Sequence, residues 1–399
     1  MRHTLSIPLA AAALSLAVAA SPAAAQQAQC GGDLGAFLAG VKAEAVADGI
    51  PADVADRALA GAQIDPKVLK MDRAQGVFRQ TFLEFSQRTV SQARLNIGLQ
   101  KMKQFADVFA RAKQEYGVPA GVITAFWAME TDFGAVQGSF NTRNALVTLA
   151  HDCRRPELFR PQLIALIKMV QHGDLDPQTN TGAWAGEVGQ VQMLPKDIVA
   201  FGEDGDGDGH VRLKESGPDA IMTAAKFIAH LGWKAGEPWL QEVSIPDNLP
   251  LEQSGLDSTM TAGDWFKLGV KPRDGNTSFG NLRGDLLLPQ GRKGPAFIAY
   301  PNFAVYLEWN KSFIYTTSAA YFATRFEGAP KYDVGNPEPG LDGTAMKQLQ
   351  EKLDSMGYDV GEVDGILGSG TRDAVRKEQI RLGLPADGWP TPAFLAALK

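Results

Sequence analysis

The chain has 399 residues, 45% of them apolar and 21% charged, a balance that excludes an intrinsically disordered protein and leaves room for more than one domain. Its formal net charge of −6 lacks the basic footprint of general nucleic-acid binding, so partners of that class are set aside.

Residues 1–25 combine a basic start at Arg2, an apolar run over 5–20, and Ala23-Ala24-Ala25 before Gln26. That is the pattern of a secretory signal peptide cut after Ala25. No later apolar run is long enough to cross a bilayer. Cys30 follows Ala28-Gln29 rather than the small, leucine-led tetrapeptide that precedes a lipid-modified cysteine. The expected mature protein is therefore exported and soluble, with no lipid anchor. An exported chain meets oxidising conditions, which favours a disulfide between Cys30 and Cys153; two separately buried thiols are the alternative.

From Asp33 to Gly117 the sequence reads as helices. Asp33 is a cap for a segment ending at Asp48-Gly49, Pro51 opens a second, and 101–116 reads as one helix stopped by Gly117. Pro119 then starts a helix whose stop reads as Gly134, with Val122, Ile123, Phe126, Trp127 and Met129 at helical spacing. Glu130 lies on it, with Phe126, Trp127 and Phe133 three or four residues away. Apolar surroundings keep a carboxyl protonated near neutral pH, as a general acid requires. A solvated helix glutamate is the plain alternative.

Further on, Pro161 reads as the opening of an apolar helix closed by Gly173, and 218–231 as another. Between them, 174–217 is rich in glycine and acidic residues, the composition of a working surface. Short apolar runs over 253–300 are broken by Pro289, Gly291 and Gly294, so small strands or irregular structure are expected there. Residues 311–326 return to helix, and 329–340, with several prolines and glycines, read as a linker. The remaining 341–399 have their own helix patterns and form a unit of about 60 residues, just enough for a separate core.

Two motifs carry chemistry. Asp204-Gly205-Asp206-Gly207-Asp208-Gly209-His210, followed by Glu215, meets D-x-D-x-D-G-x5-E at every position. It offers oxygens from Asp204, Asp206 and Asp208, a backbone carbonyl from His210 and a bidentate carboxylate from Glu215, with Asp219 a possible replacement for the last. A lone loop of this kind suits a structural calcium clamp. The second motif, over 182–195, sets Gly182, Gly186 and Gly189 beside Gln190 and Gln192, which reads either as a loop that a ligand's hydroxyl and acetamido groups can approach closely or as a generic loop. Asn302, Asn310 and Tyr315 sit in an aromatic-rich segment that reads either as a cleft wall or as core. Arg154-Arg155 reads by itself as a surface charge pair. No G-x-S-x-G elbow, H-E-x-x-H helix, Walker loop or dinucleotide glycine motif is present, and no organic cofactor is expected.

Taken in order, Glu130-Thr131-Asp132-Phe133-Gly134, Asp152-Cys153-Arg154-Arg155, the 184–195 loop, the 204–219 loop, Gly232-Trp233, Asn302-Phe303 and Asn310-Lys311-Ser312 resemble the membrane-bound lytic transglycosylase B family over roughly residues 31–328. Leu349-Gln350, Val363-Asp364-Gly365-Ile366-Leu367-Gly368, Thr371, Gln379 and Asp387-Gly388 resemble a peptidoglycan-binding type 1 domain.

The resemblance implies a mainly α (α+β) protein. A lysozyme-like helical catalytic core with a small irregular or β subdomain spans 30–328, with an EF-hand-like calcium loop at 204–215, and a small three-helix wall-binding domain spans 341–399. It implies a periplasmic lytic murein transglycosylase acting on peptidoglycan glycan strands. Glu130 would protonate the MurNAc–GlcNAc oxygen and then take the proton of the muramic C6 hydroxyl, leaving a 1,6-anhydro end, with no second carboxylate required. It also places Gln192, Arg154, Arg155 and Asn302 in the cleft. Ala183, Glu187, Met193, Leu194, Lys196-Asp197 and Trp309 depart from the family pattern. A muramidase-type hydrolase and a catalytically impaired wall-binding scaffold are the competing readings.

Overall fold

The computed structural model describes residues 30–74 and 80–398; the signal peptide expected over 1–25 lies outside them. Seventeen helices and two small sheets are found among the described residues, and none of the helices is long and apolar enough to cross a membrane.

The N-terminal helices Leu34–Ala47, Ala52–Leu59 and Pro66–Arg73 pack on the pair Thr142–His151 and Pro156–His172. Asp33 caps the first by accepting from the Ala36 amide at 2.8 Å. Cys30 and Cys153 are disulfide-bonded with Cα atoms 5.2 Å apart, which fastens the start of this segment to the turn after Thr142–His151. The stretch expected as one helix over 101–116 is two, Gln92–Gln104 and Ala106–Tyr116. They part at Phe105, whose backbone leaves the helical region while its ring packs against Trp127. Pro161 does not open its helix: Pro156 does, and Pro161 lies inside.

At the centre runs the Glu130 helix, Ala120–Thr131, nine of whose twelve residues are buried. Its main neighbour is Phe313–Phe326, which is buried along most of its length; Gln92–Gln104, Ala106–Tyr116 and Gly217–His230 also pack against it. A helix apolar on all sides is a core helix, and here it acts as the axle of the larger lobe.

The expected small β region is a four-stranded antiparallel sheet that starts earlier than the sequence suggests. Leu240–Ser244 pairs on one side with Lys271–Pro272 and on the other with Ala296–Ala299, which in turn pairs with Asp285–Leu287. One face adds Leu287 and Phe297 to the main core; the other, with Leu286 and Ile298, packs on Trp265 in a core of its own.

The stretch read as a linker lies against the larger lobe. Tyr332 is only 4% exposed among Phe82, Phe297 and Tyr321, and its hydroxyl is 2.7 Å from Ser86 Oγ. Beyond it, Gly343–Ser355, Ser369–Arg381 and Pro392–Ala397 enclose a separate core of Met346, Leu349, Leu353, Val375 and Phe394.

Candidate active site

Glu130 sits one residue before the C-terminus of its helix and is partly exposed, whereas residues 121–128 are buried. The helix stops earlier than Gly134. Asp132 (φ 52°) and Phe133 (φ 61°) both take the left-handed conformation, and Asp132 closes the helix through its amide to the Ala128 carbonyl. Among the described residues the only other non-glycine with positive φ is Gln192, at 48°. Each such residue costs on the order of 1 kcal/mol or more and persists only where packing enforces it. All three fall around this carboxylate.

Enforcement comes from Arg94, which pairs with Asp132 at 2.8 Å and donates to the carbonyls of Ala128 and Thr89. Asp132 is thereby committed to Arg94. Thr131 reinforces the turn by donating to the Gln190 carbonyl and accepting from the Gly134 amide at 2.9 Å.

The groups around the Glu130 carboxyl differ from those expected. Its hydrogen-bonding neighbours are Trp309 and Tyr315, brought from the end of one helix and the first turn of the next. Trp309 Nε1 donates to Glu130 Oε1 at 2.9 Å, and the Tyr315 hydroxyl donates to the same oxygen. Phe126, one turn before Glu130, stacks on the Trp309 ring at 4.3 Å and on Tyr306 at 4.8 Å, so the aromatic setting is real but reaches the carboxyl through Trp309. Oε1 is thus filled by two donors, and Oε2 remains to carry a proton.

Burial pushes the Glu130 carboxyl above its ordinary range. The Tyr315 and Trp309 hydrogen bonds pull it back without cancelling the rise, and the negative charge of Glu187 adds to it. Tyr315 is itself driven well above the ordinary phenol value by burial and by the facing Glu130, so it acts as a donor at any physiological pH.

Across from this carboxyl stands the glycine-rich loop. Thr181–Gly182 pairs with Phe140–Asn141, and Val188 bridges Met193, which folds 183–193 into a tight turn. Gly138 makes this possible, since a Cβ there would collide with the Gly182 carbonyl. Gln192 is partly exposed and donates to the carbonyls of Gly189 at 2.8 Å and Gln137 at 3.3 Å. Gln190, by contrast, is 7% exposed and wedged against Gly134, with its amide directed at the Lys214 carbonyl. It joins the Glu130 turn to the acidic loop. Glu187 is partly buried, one of its carboxyl oxygens has no hydrogen-bond partner, and burial raises its pKa.

The remaining expected cleft residues divide. Asn310 accepts from the Ser312 amide at 2.9 Å, and its carbonyl accepts from Thr316 Oγ1 at 2.8 Å, which sets the entry of the helix carrying Tyr315. Asn302 is 1% exposed. Its carbonyl oxygen accepts from the Lys234 amide, and its NH2 donates to the Lys234 and Glu237 carbonyls, so this buried side chain clamps a backbone turn with both of its donors used. Arg154 and Arg155 both pair with buried Asp72, anchoring Pro66–Arg73. Burial alone would raise Asp72, and the two guanidiniums hold it below the ordinary carboxylate value. About a third or more of each arginine side chain stays exposed.

In the acidic loop, oxygens of Asp204, Asp206 and Asp219 lie within 4.8 Å of one another. Asp219, buried at the start of Gly217–His230, also accepts from the Gly205 and Arg212 amides, and burial raises its carboxyl with Asp206 adding to the rise. Carboxylates gathered this closely fit a hard cation with oxygen ligands. Glu215 is exposed and outside the cluster, Asp208 pairs with Arg212 at 2.9 Å, and the His210 ring faces Asp174 at 3.1 Å. Asp219, and not Glu215, thus completes the carboxylate cluster. Asp219 lies on the next helix, outside the loop motif, where the sequence offers it as a replacement for Glu215.

Comparison with known proteins matches two regions of the chain to families. Residues 34–324 match the family described as Transglycosylase SLT domain, and 342–398 match the one described as Putative peptidoglycan binding domain. Membrane-bound lytic murein transglycosylase B of Escherichia coli (strain K12) is 28% identical over 236 residues, covering 58% of this chain and 63% of that protein, so the chain spans less than two thirds of that relative's length. The crystal structure of SltB3 from Pseudomonas aeruginosa in complex with NAG-NAM-pentapeptide superposes with a TM-score of 0.84 at 34% identity, over 92% of this chain and 100% of that one. Escherichia coli Slt35 in complex with calcium gives a TM-score of 0.62 at 25% identity, over 75% and 96%. Over residues 34–324 the chain belongs to the Transglycosylase SLT domain family.

Proposed function

We propose that this protein is an exported lytic murein transglycosylase in which Glu130 alone serves as acid and then as base. The observation that carries the reading is the asymmetry of the Glu130 carboxyl: Oε1 is taken by Trp309 and Tyr315, and burial favours a proton on Oε2. That proton passes to the glycosidic oxygen as the MurNAc C1–O bond breaks. The carboxylate left behind is stabilised at Oε1 by the same two donors. Oε2 then takes the proton of the muramic C6 hydroxyl as O6 bonds to C1, closing the 1,6-anhydro ring and regenerating the acid. No water enters, so the two products together weigh the same as the substrate.

Gln192, held in its left-handed turn and partly exposed, is the loop side chain best placed to meet the glycan. Asp204, Asp206 and Asp219 would hold calcium. The ion would neutralise the cluster and fasten the loop to Gly217–His230, and through Gln190 steady the turn after Glu130; it takes no part in the bond changes. The 342–398 domain supports a wall-binding role, and residues 1–25 support export to the periplasm.

One observation favours a second reading. Glu187 is a partly buried carboxyl that adds negative charge at Glu130, and a second carboxylate is what a hydrolase needs to activate water. Digestion of purified sacculi followed by mass spectrometry separates the two: anhydro-terminated muropeptides support the transglycosylase, and reducing ends, one water heavier, support the hydrolase.

A further inference from the structure

The most unusual cation in the molecule lies at the seam between the two family-matched regions. Arg372, in Ser369–Arg381, is 8% exposed and forms no ion pair among the described residues. Its guanidinium stands 4.6 Å from the Phe313 ring and 5.7 Å from the Trp389 ring; Nη2 donates to the Pro289 carbonyl at 2.8 Å, and Nε has no partner. Burial draws it down to about 9, with Asp387 acting the other way, so it is still charged at neutral pH. A buried cation with so few hydrogen-bond partners is costly, and the faces of the two rings are what offset that cost here. Of the two rings, Trp389 belongs to its own domain and Phe313 to the catalytic core.

Phe313 is the first residue of the helix carrying Tyr315. Ile314, the next, borders a cavity shared with Met346, Leu367 and Trp389 of the C-terminal domain. One side of this first turn is thus covered by the C-terminal domain, while Tyr315 reaches Glu130. The turn's own cap is weak: Ser312 Oγ accepts from the Tyr315 amide at 3.4 Å, the long end of hydrogen bonding. Helix ends open readily when neither capped nor packed. The domain is also docked rather than loosely tethered, because Asp387 accepts from the Arg292 amide at 3.0 Å, Ser254 Oγ donates to the Ala386 carbonyl at 3.1 Å, and Trp389 Nε1 donates to the Glu338 carbonyl at 2.9 Å.

We propose that Arg372 is a positioning residue for the reaction: by clamping Phe313 from the C-terminal domain, it holds the first turn of Phe313–Phe326 and keeps the Tyr315 hydroxyl on Glu130. The wall-binding domain then contributes to catalysis even when no wall is present. This rests on the proposed role of Glu130.

The test uses the full chain and a short soluble glycan, which removes wall binding from the readout. Arg372→Met keeps an unbranched apolar stem and removes the guanidinium, with its charge and plane. It is expected to lower kcat about tenfold, less than the ~100-fold that an ångström of misplacement costs, with KM within about twofold. The alkaline limb of the pH–rate profile should move to higher pH, because Glu130 loses a hydrogen bond that lowers its pKa. Arg372→Lys should recover part of both. Independently of activity, hydrogen exchange at the Thr316 amide, which bonds the Ser312 carbonyl at 2.8 Å, should quicken about tenfold in Arg372→Met. Unchanged kcat, pH profile and Thr316 exchange would overturn the proposal. Should Arg372→Met not fold, Phe313→Leu, which removes the ring beneath the guanidinium, poses the same question. If the wild-type chain yields no anhydro ends, the reading of Glu130 fails, while the exchange measurement still decides whether Arg372 holds the turn.

Discussion

Two groups of carboxylates in this molecule are built on opposite principles. Glu130 is a single carboxyl at a helix end, half-withdrawn from water, its Oε1 occupied by two neutral donors and its pKa raised. Asp204 belongs to a loop that turns its backbone amides inward; those of Gly207, Asp208 and Gly209 all point at its oxygens and lower its pKa, so it stays ionised and shares its space with Asp206 and Asp219. One arrangement stores a proton, and the other accumulates negative charge that a cation relieves. Similar side chains are thus committed to different chemistry by what surrounds them.

Glu130→Gln breaks the comparison most severely. It removes the proton carrier but keeps the side chain's shape, and glycan release should fall by about a thousandfold, within the range for general acid–base catalysis. Equal release by both proteins would leave Glu130 without a catalytic role.

Next comes the cation. Stripping calcium with a chelator should lower the melting temperature by several degrees, since an ion held at a hundred times its Kd contributes about 2.7 kcal/mol. Asp219→Asn should abolish that calcium dependence and Glu215→Gln should retain it. The reverse outcome would return the closing position to Glu215.

Tyr315→Phe and Trp309→Phe sharpen the other side. Each removes one hydrogen bond that pulls the Glu130 pKa down, so the protonated acid persists to higher pH and the alkaline limb of activity should shift upward. The accompanying loss in kcat should be about tenfold for Tyr315 and smaller for Trp309. A downward shift would contradict the assignment of both donors to Oε1.

The smallest effect is one of stability. The Glu187 carboxyl is raised above its ordinary 4.5, so the folded chain binds that proton more tightly than the unfolded one and loses stability as pH rises through this range. Glu187→Gln should therefore raise the melting temperature at pH 7 by ~2 °C and give no such gain at pH 4. A gain that persists at pH 4 would point to packing instead.

The contrast between the two centres also explains what could be read from the sequence. The acidic loop is contiguous, so Asp204, Asp206 and the glycine turns announce themselves by spacing, and the fold was needed only to choose between Glu215 and Asp219, which the sequence left open. Glu130 was legible as a buried-helix carboxyl, but its donors come from 179 and 185 residues further along, a distance no local pattern spans. Asn302 misled for the same reason: its motif position is conspicuous, but the Lys234–Glu237 turn that consumes its amide lies 65 and 68 residues earlier. The helix break at Phe105 and the interior position of Pro161 reflect tertiary packing overriding local signals. Arg372 carried no signal at all, because an arginine on an amphipathic helix reads as solvated until the ring it covers is known.

The central claim is that one asymmetric carboxyl performs both proton transfers, with the substrate's own C6 hydroxyl as nucleophile. Mass spectrometry of sacculi digested by the wild-type chain addresses it most directly. The account predicts muropeptides ending in 1,6-anhydro-MurNAc; products ending in reducing MurNAc, each one water heavier, would contradict it.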